Sequence, residues 1–199
     1  MSEKDAPGFF NPANAASIAR IILLPIYLIL ILHGGTALKK IAIILCITIF
    51  FMDYIDGWLA KKYNTKTKLG SHLDVIADRI TEIFFWLAFL SLALVPLWAP
   101  LIIFSRCMIT DFIRAHALLR NKGTYDMIET GVGAFIVKTR LMRGLYGGMK
   151  MTLFTLLTTS LTMYPEKILA ITPILTTIVV ILCVLRGIPV ITEGVKYLK

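Results

Sequence analysis

Long apolar runs alternate with short polar stretches along most of the chain. A helix that crosses a bilayer needs about 20 mostly apolar residues, and six runs approach that length, although charges interrupt the second and third. They lie near residues 15–32, 40–60, 72–94, 98–119, 148–163 and 168–190. Because the connections are short, the pattern predicts an all-α fold: a polytopic membrane bundle of six transmembrane helices. We expect one domain over residues 1–199, with an N-terminal surface segment at residues 1–14.

The composition agrees with a membrane protein. Of the 199 residues, 57% are hydrophobic and 17% are charged, and the mean hydropathy is +0.79. Soluble domains have about 45–50% apolar and about 25% charged residues, so these values argue against a soluble globular protein and against a disordered one. Cys46, Cys107 and Cys183 each lie in an apolar run without a CxxC pair, so we expect buried thiols and neither disulfides nor a zinc site.

The net charge of +9 has an explanation in membrane topology. If the N-terminus lies in the cytoplasm, fourteen Lys and Arg residues fall on the cytoplasmic side, three on the opposite side and four within the predicted spans. Such a bias is the positive-inside signal of multi-pass membrane proteins. We therefore expect a multi-pass protein of the cell membrane with both termini in the cytoplasm, and no nucleic-acid partner.

Four of the twelve acidic residues fall within one 26-residue window, at the end of the second predicted span and the start of the third. Asp53 and Asp56 are three residues apart, and Asp74 and Asp78 are four apart, so each pair shares one face of a helix. The short connection predicts that the two helices are antiparallel neighbours. The four carboxylates would then converge near the cytoplasmic boundary of the membrane.

Such a cluster is costly unless something compensates the charge. An ionisable group within a span costs about 2.5–3.5 kcal/mol, and nearby like charges favour protonation. Divalent cations remove both problems, because Mg²⁺, Mn²⁺ and Ca²⁺ prefer hard oxygen ligands. The alternative is a set of helix-end carboxylates paired with Lys61, Lys62 and Arg79. Four acids on two facing stripes exceed what such pairing needs, so the pattern favours a metal site.

The segment at residues 53–78 resembles the signature of the CDP-alcohol phosphatidyltransferases, D-x2-D-G-x2-A-R-x8-G-x3-D-x3-D. Gly57, Ala60 and Gly70 occupy its small positions, where helices approach closely or a ligand lies against backbone. Every position of the signature matches except one, because Lys61 stands where the family has arginine. The resemblance extends over most of the chain and weakens from about residue 107.

The first predicted span carries a second part of this resemblance. Asn14, Ser17 and Arg20 resemble the N-x-x-T-x-x-R element of family members that use glycerophosphate. The family implies metal-dependent transfer of a phosphatidyl group, or its isoprenoid-ether equivalent, from a CDP-linked lipid to a polar alcohol, with release of CMP, in phospholipid synthesis. It also implies an active site at the cytoplasmic side and allows a homodimer.

The resemblance further implies roles for residues of the signature. Asp53, Asp56 and Asp74 would bind two Mg²⁺ or Mn²⁺ ions, and Asp78 would lie beside the second ion and act as general base on the acceptor hydroxyl. Lys61 keeps the positive charge of the family arginine but loses its planar grip on phosphate, so we expect weaker nucleotide binding. The CDP-lipid site implied in this way comprises Asp53, Asp56, Gly57, Ala60, Lys61, Gly70 and Ser71.

Basic residues in the later spans are candidates for holding the acceptor. Arg106, Arg114, Lys150 and Arg186 would together favour a phosphorylated polyol, such as glycerol 3-phosphate or an inositol phosphate. An arginine within a span is usually functional, and the alternative for Arg106 is a structural pair with an acidic residue, Asp111 or Glu82. Cys107 occupies the place where glycerophosphate transferases carry an acidic residue.

Two other functions remain open from the sequence. Membrane prenyltransferases also use aspartate motifs, but they have more spans and their motifs lie far apart in sequence. A divalent-cation transporter would carry its site near the middle of the bilayer, often between inverted repeats, and no repeat is visible.

Overall fold

A computed structural model describes the backbone of residues 12–62, 68–119 and 127–198, and the side chains of residues 15–52, 75–119 and 127–198. These parts of the chain are almost entirely helical and contain no strand. The helices are α1 (Pro12–His33), α2 (Thr36–Lys62), α3 (Lys68–Ser91), α4 (Trp98–Leu119), α5 (Gly131–Lys138), α6 (Arg140–Ser160) and α7 (Pro165–Gly194), followed by a 3₁₀ turn (Val195–Tyr197).

The all-α prediction is confirmed, and each of the six predicted apolar segments coincides with one long helix. The short helix α5 is an addition that the predicted spans did not include. By length and hydropathy alone, two helical segments among the described residues qualify as membrane spans, Ala15–His33 and Pro165–Tyr197. The number of six spans therefore stays a prediction. Helix α1 starts at Pro12, inside the predicted surface segment, and residues 1–11 lie outside the described part.

Proline and glycine set several helix boundaries. Pro12 and Pro165 are the first residues of α1 and α7, where a missing N–H costs nothing and the fixed φ suits a helix. Gly34 follows α1, and its N–H donates to the carbonyl of Leu30 at 3.1 Å. A β-carbon on Gly34 would clash with that carbonyl oxygen, so glycine permits the tight passage from α1 to α2.

The chain divides into two units, of which the first comprises residues 1–94 and 154–168. In this unit α1 packs against α2 and α3. Phe85 of α3 is the centre of an aromatic cluster, with its ring centroid 4.6 Å from Tyr27, 5.2 Å from Phe50 and 5.1 Å from Phe154. Tyr27 and Thr158 also share a buried hydroxyl–hydroxyl hydrogen bond of 2.8 Å. These contacts join α1, α2 and α3 to the end of α6.

Helix α1 buries both polar and apolar side chains on one face and exposes aliphatic side chains on the other. Ile22, Ile26 and Ile29 are exposed, which suits a helix that faces lipid rather than water. The opposite stripe is buried at helical spacing and consists of Ser17, Arg20, Leu24, Tyr27 and Ile31. A buried arginine on this stripe requires a compensating partner.

The second unit comprises residues 95–153 and 169–199. Its apolar core consists of Ile113, Ala117, Met127, Ile128, Val137 and Val190, from α4, α5, α7 and the segment before α5. The three cysteines of the chain are buried thiols that form no disulfide, as predicted: Cys46, Cys107 and Cys183.

Glu193, in the last turn of α7, ties down the start of α5. Its carboxylate accepts hydrogen bonds from the backbone N–H groups of Glu129 and Thr130, at 2.6 and 3.0 Å, and from the Thr130 hydroxyl at 2.6 Å. The Thr130 hydroxyl oxygen in turn accepts from the N–H of Gly133 at 3.2 Å and so caps α5. A chain of polar contacts therefore fixes α5 on the second unit.

Candidate active site

The helices place the four aspartates at the end of α2 and the start of α3. Asp53 and Asp56 fall in the last turns of α2, and Asp74 and Asp78 fall in the first turns of α3. The two helices are in contact, since the Phe50 and Phe85 rings lie 5.2 Å apart. The side chains at residues 53–74 lie outside the described part, which includes three of the aspartates and the CDP-lipid candidates Gly57, Ala60, Lys61, Gly70 and Ser71.

Asp78 is the one member of the cluster whose side chain is described, and it forms an ion pair with α1. Nη1 of Arg20 donates to Oδ1 of Asp78 at 2.8 Å. The Arg20 side chain is 2% exposed, whereas that of Asp78 is 49% exposed. The buried arginine thus has a compensating charge, and the carboxylate that supplies it is about half exposed. The sequence had drawn attention to Arg20 through its motif but had given it no partner.

The donor chemistry at Asp78 fits a divalent cation. A half-exposed carboxylate, placed on α3 four residues after Asp74, supplies the hard oxygen that Mg²⁺ or Mn²⁺ prefers. No group of three or more potential metal ligands occurs among the residues that the structure describes, and three of the four candidate ligands fall outside them. The metal site therefore stays a prediction.

Two of the four acceptor candidates meet on one aromatic ring in the second unit. Nζ of Lys150 lies 4.7 Å from the centroid of the Tyr146 ring, and Cζ of Arg186 lies 5.2 Å from it. Tyr146 is buried, at 8% exposure, and precedes Lys150 by one helical turn of α6. Both distances are within the range of cation–π attraction. Sequence reasoning missed Tyr146, although its spacing of four from Lys150 placed it on the same helix face.

The side chain of Arg106, on α4, packs against Gly187 of α7. A β-carbon on Gly187 would lie 2.6 Å from Nε and 2.8 Å from Cγ of Arg106, so the glycine makes room for this side chain. The buried Nε has no hydrogen-bond partner among the described residues, and Nη1 lies 4.0 Å from Sγ of Cys107. Arg106 also lines a cavity of about 370 Å³ with Leu101, Ile102, Ser105, Ile109, Val184, Ile188 and Ile191.

The acidic residues proposed as structural partners of Arg106 are engaged elsewhere. Asp111 pairs with Arg114 at 3.6 Å along α4, and Glu82 pairs with Arg79 at 3.3 Å along α3. Lys150 and Arg186 therefore both contact the Tyr146 ring. Arg106 packs against Gly187, the residue that follows Arg186. Arg114 forms its ion pair with Asp111.

An apolar and almost entirely helical chain that carries an aspartate motif on two neighbouring helices is typical of a helical membrane protein. Residues 10–186 match the family described as CDP-alcohol phosphatidyltransferase. The chain belongs to that family.

Relatives with assigned names agree with this placement. Over 70 residues the chain is 33% identical to the CDP-diacylglycerol–glycerol-3-phosphate 3-phosphatidyltransferase of Rickettsia typhi, covering 35% of this chain and 39% of the relative. It is 29% identical over 109 residues to the Bacillus subtilis protein of the same name, covering 49% and 56%. A probable phosphatidylglycerophosphate synthase of Mycobacterium tuberculosis is 26% identical over 113 residues, covering 55% and 54%. The alignments thus span about half or less of these relatives.

Proposed function

We propose that this protein transfers a phosphatidyl group from a CDP-linked lipid to glycerol 3-phosphate and releases CMP. The observation that carries the proposal is the family match over residues 10–186, which includes all four aspartates of the signature. The acceptor is proposed from two further observations: relatives are named for glycerol 3-phosphate, and two cations, Lys150 and Arg186, share the Tyr146 ring. An inositol phosphate is the second candidate acceptor, because the same cations would suit its phosphate.

In the proposed reaction Asp53, Asp56 and Asp74 would hold two Mg²⁺ or Mn²⁺ ions, with Asp78 beside the second ion. These ions, when bound, neutralise the pyrophosphate and the charge that develops on the departing CMP. Asp78 takes the proton of the acceptor hydroxyl, and its exposure at 49% is compatible with access for that group. The remaining signature residues, including Lys61 and Ser71, bind the cytidine diphosphate.

The acceptor phosphate is bound by the basic residues of the second unit. Lys150 and Arg186 supply two positive charges at one ring, and both can donate charge-assisted hydrogen bonds to a phosphate. Arg106 and Arg114 add positive charge along α4. In the cell we propose a multi-pass protein of six spans whose aspartate site faces the cytoplasm, in agreement with the excess of Lys and Arg in the predicted cytoplasmic connections.

A panel of acceptors tests the proposal. The purified protein in lipid nanodiscs receives a CDP-linked diacyl lipid or a CDP-linked isoprenoid ether lipid, Mg²⁺ or Mn²⁺, and one of five alcohols: glycerol 3-phosphate, inositol phosphate, inositol, serine or a second lipid. We expect CMP release with glycerol 3-phosphate. CMP release with none of the alcohols contradicts the transferase, and release with inositol phosphate alone changes the acceptor. Consumption of a prenyl diphosphate would support the prenyltransferase, and cation transport without CMP release would support the divalent-cation transporter.

A further inference from the structure

Arg20 and Asp78 form an asymmetric ion pair. The arginine is fixed within the packed stripe of α1 at 2% exposure, and the carboxylate is half exposed on α3. Burial of a guanidinium is unfavourable unless a charged partner compensates it, so the pair has a clear stabilising role for Arg20 itself. A purely structural pair would be served equally well by a buried carboxylate, which this one is not.

The hydrogen bond restricts the carboxylate in a specific way. An aspartate has two rotatable side-chain bonds, and an exposed aspartate samples several rotamers. The 2.8 Å bond from Arg20 Nη1 fixes Oδ1, and α1 packs against α3, so the anchor point itself does not move freely. With Oδ1 fixed, the second oxygen occupies a narrow range of positions.

We propose that Arg20 is a positioning residue for the general base, holding the Asp78 carboxylate in its reactive orientation. The inference rests on the proposed function. In that reaction the acceptor oxygen forms a bond to the β-phosphorus of the CDP-lipid, its proton passes to Asp78, and the bond from that phosphorus to the CMP oxygen breaks, CMP leaving with the electron pair. In this role Arg20 acts on the proton transfer through its hydrogen bond to Asp78.

Loss of this anchor should lower kcat more than it raises either KM. A displacement of about 1 Å at a reacting group can cost about 100-fold in rate, whereas contacts to bound substrates that Arg20 does not touch stay intact. We therefore expect Arg20→Met to lower kcat by about 100-fold, with both KM values within about threefold of the parent. Arg20→Lys keeps a positive charge near Asp78, so its kcat should be about tenfold higher than that of Arg20→Met.

The experiment uses the full-length protein in nanodiscs, with steady-state kinetics for both substrates, thermal unfolding, and Mn²⁺ binding measured by electron paramagnetic resonance without substrates. The variants are Arg20→Met, Arg20→Lys, Asp78→Asn and the double variant Arg20→Met with Asp78→Asn. The matched control is Lys196→Met, which removes an exposed 2.7 Å ion pair to Glu129 and should leave kcat unchanged. Retained Mn²⁺ binding in Arg20→Met would exclude loss of the metal as the cause of a lower kcat.

The decisive comparison is the double variant. If Arg20 acts through Asp78, Arg20→Met has no further effect on kcat once Asp78 is Asn. The positioning role is overturned if Arg20→Met lowers kcat by a further tenfold or more in the Asp78→Asn background. It is also overturned if Arg20→Met alone leaves kcat unchanged, or if Arg20→Lys recovers none of the lost activity. If Arg20→Met does not fold, Arg20→Lys with and without Asp78→Asn supplies the same comparison. A parent protein that releases no CMP with any alcohol defeats the proposed function itself, and the positioning role with it.

Discussion

At the scale of single residues, Tyr146 organises the proposed acceptor site. Lys150 and Arg186 would repel each other if they approached in an apolar setting without a compensating group. The negative face of the tyrosine ring attracts both, at 4.7 and 5.2 Å, and each attraction contributes about 0.5–2 kcal/mol. The ring therefore holds two cations of the proposed acceptor site close to one another.

Replacing Tyr146 should affect the acceptor and not the lipid donor. We expect Tyr146→Leu to raise the KM for glycerol 3-phosphate by about tenfold, because both cations lose the ring that orients them. Tyr146→Phe is the matched control, since it keeps the ring and removes the hydroxyl, and its KM should stay within about twofold. Kinetics with each substrate varied in turn give the two KM values. An equal rise in the KM for the CDP-linked lipid would contradict the role given to Tyr146.

At the scale of helices, apolar runs predicted where six long helices lie, because runs of this length have little alternative to helix. The same reasoning could not predict α5, whose eight residues are too few for a periodic signal. It forms because Thr130 caps its N-terminus and Glu193 holds Thr130, and Glu193 lies 63 residues away in the sequence. A local sequence pattern cannot predict a contact between residues that lie so far apart in the sequence.

The helix α5 should therefore depend on Glu193. Glu193→Ala removes the acceptor of three hydrogen bonds, each worth about 0.5–1.5 kcal/mol, and leaves two backbone N–H groups without their partner. We expect backbone amide hydrogen exchange in residues 129–138 to quicken by at least tenfold, while α1 is unaffected. Lys196→Met removes the neighbouring ion pair to Glu129 and the contact with the Tyr197 ring but keeps the three bonds of Glu193, so it should leave that exchange nearly unchanged. Unaltered exchange in Glu193→Ala would show that the cap does not stabilise α5.

The candidate site was predictable to the extent that it lies in local sequence. The spacing of the aspartates implied carboxylates on two helices, and α2 and α3 are in contact at Phe50 and Phe85. The pairing of Arg20 with Asp78 spans 58 residues, and the meeting of Arg186 with Tyr146 depends on how α6 and α7 pack within the second unit. Such pairings follow from packing, which no pattern along the chain records.

At the scale of the whole molecule, the chain is both hydrophobic and basic, because its charged residues lie mostly in the connections between apolar helices and at the helix ends. The positive-inside pattern predicts the orientation of α7 in the membrane. At about 1.5 Å per residue its 30 residues measure about 45 Å, enough to cross a bilayer. Lys167 lies exposed near its start, and Lys196 follows its end.

Single-cysteine labelling tests this orientation. The parent for the test has Cys46, Cys107 and Cys183 replaced by alanine, although all three are buried and should react slowly. In intact cells we expect a membrane-impermeant maleimide to label Lys167→Cys, and to label Lys196→Cys only after the membrane is permeabilised. The reverse result would invert the proposed topology. Labelling of both positions in intact cells would show that α7 does not cross the membrane.

The most direct test of the central claim is CMP release by the parent protein and by Asp78→Asn, each with CDP-diacylglycerol, glycerol 3-phosphate and Mg²⁺ or Mn²⁺. We expect the parent to form CMP and phosphatidylglycerophosphate in equal amounts and a chelator to abolish both products. Asp78→Asn should lower the rate by at least 100-fold at saturating substrates. A parent that forms no CMP, or an Asp78→Asn variant as active as the parent, would contradict this claim.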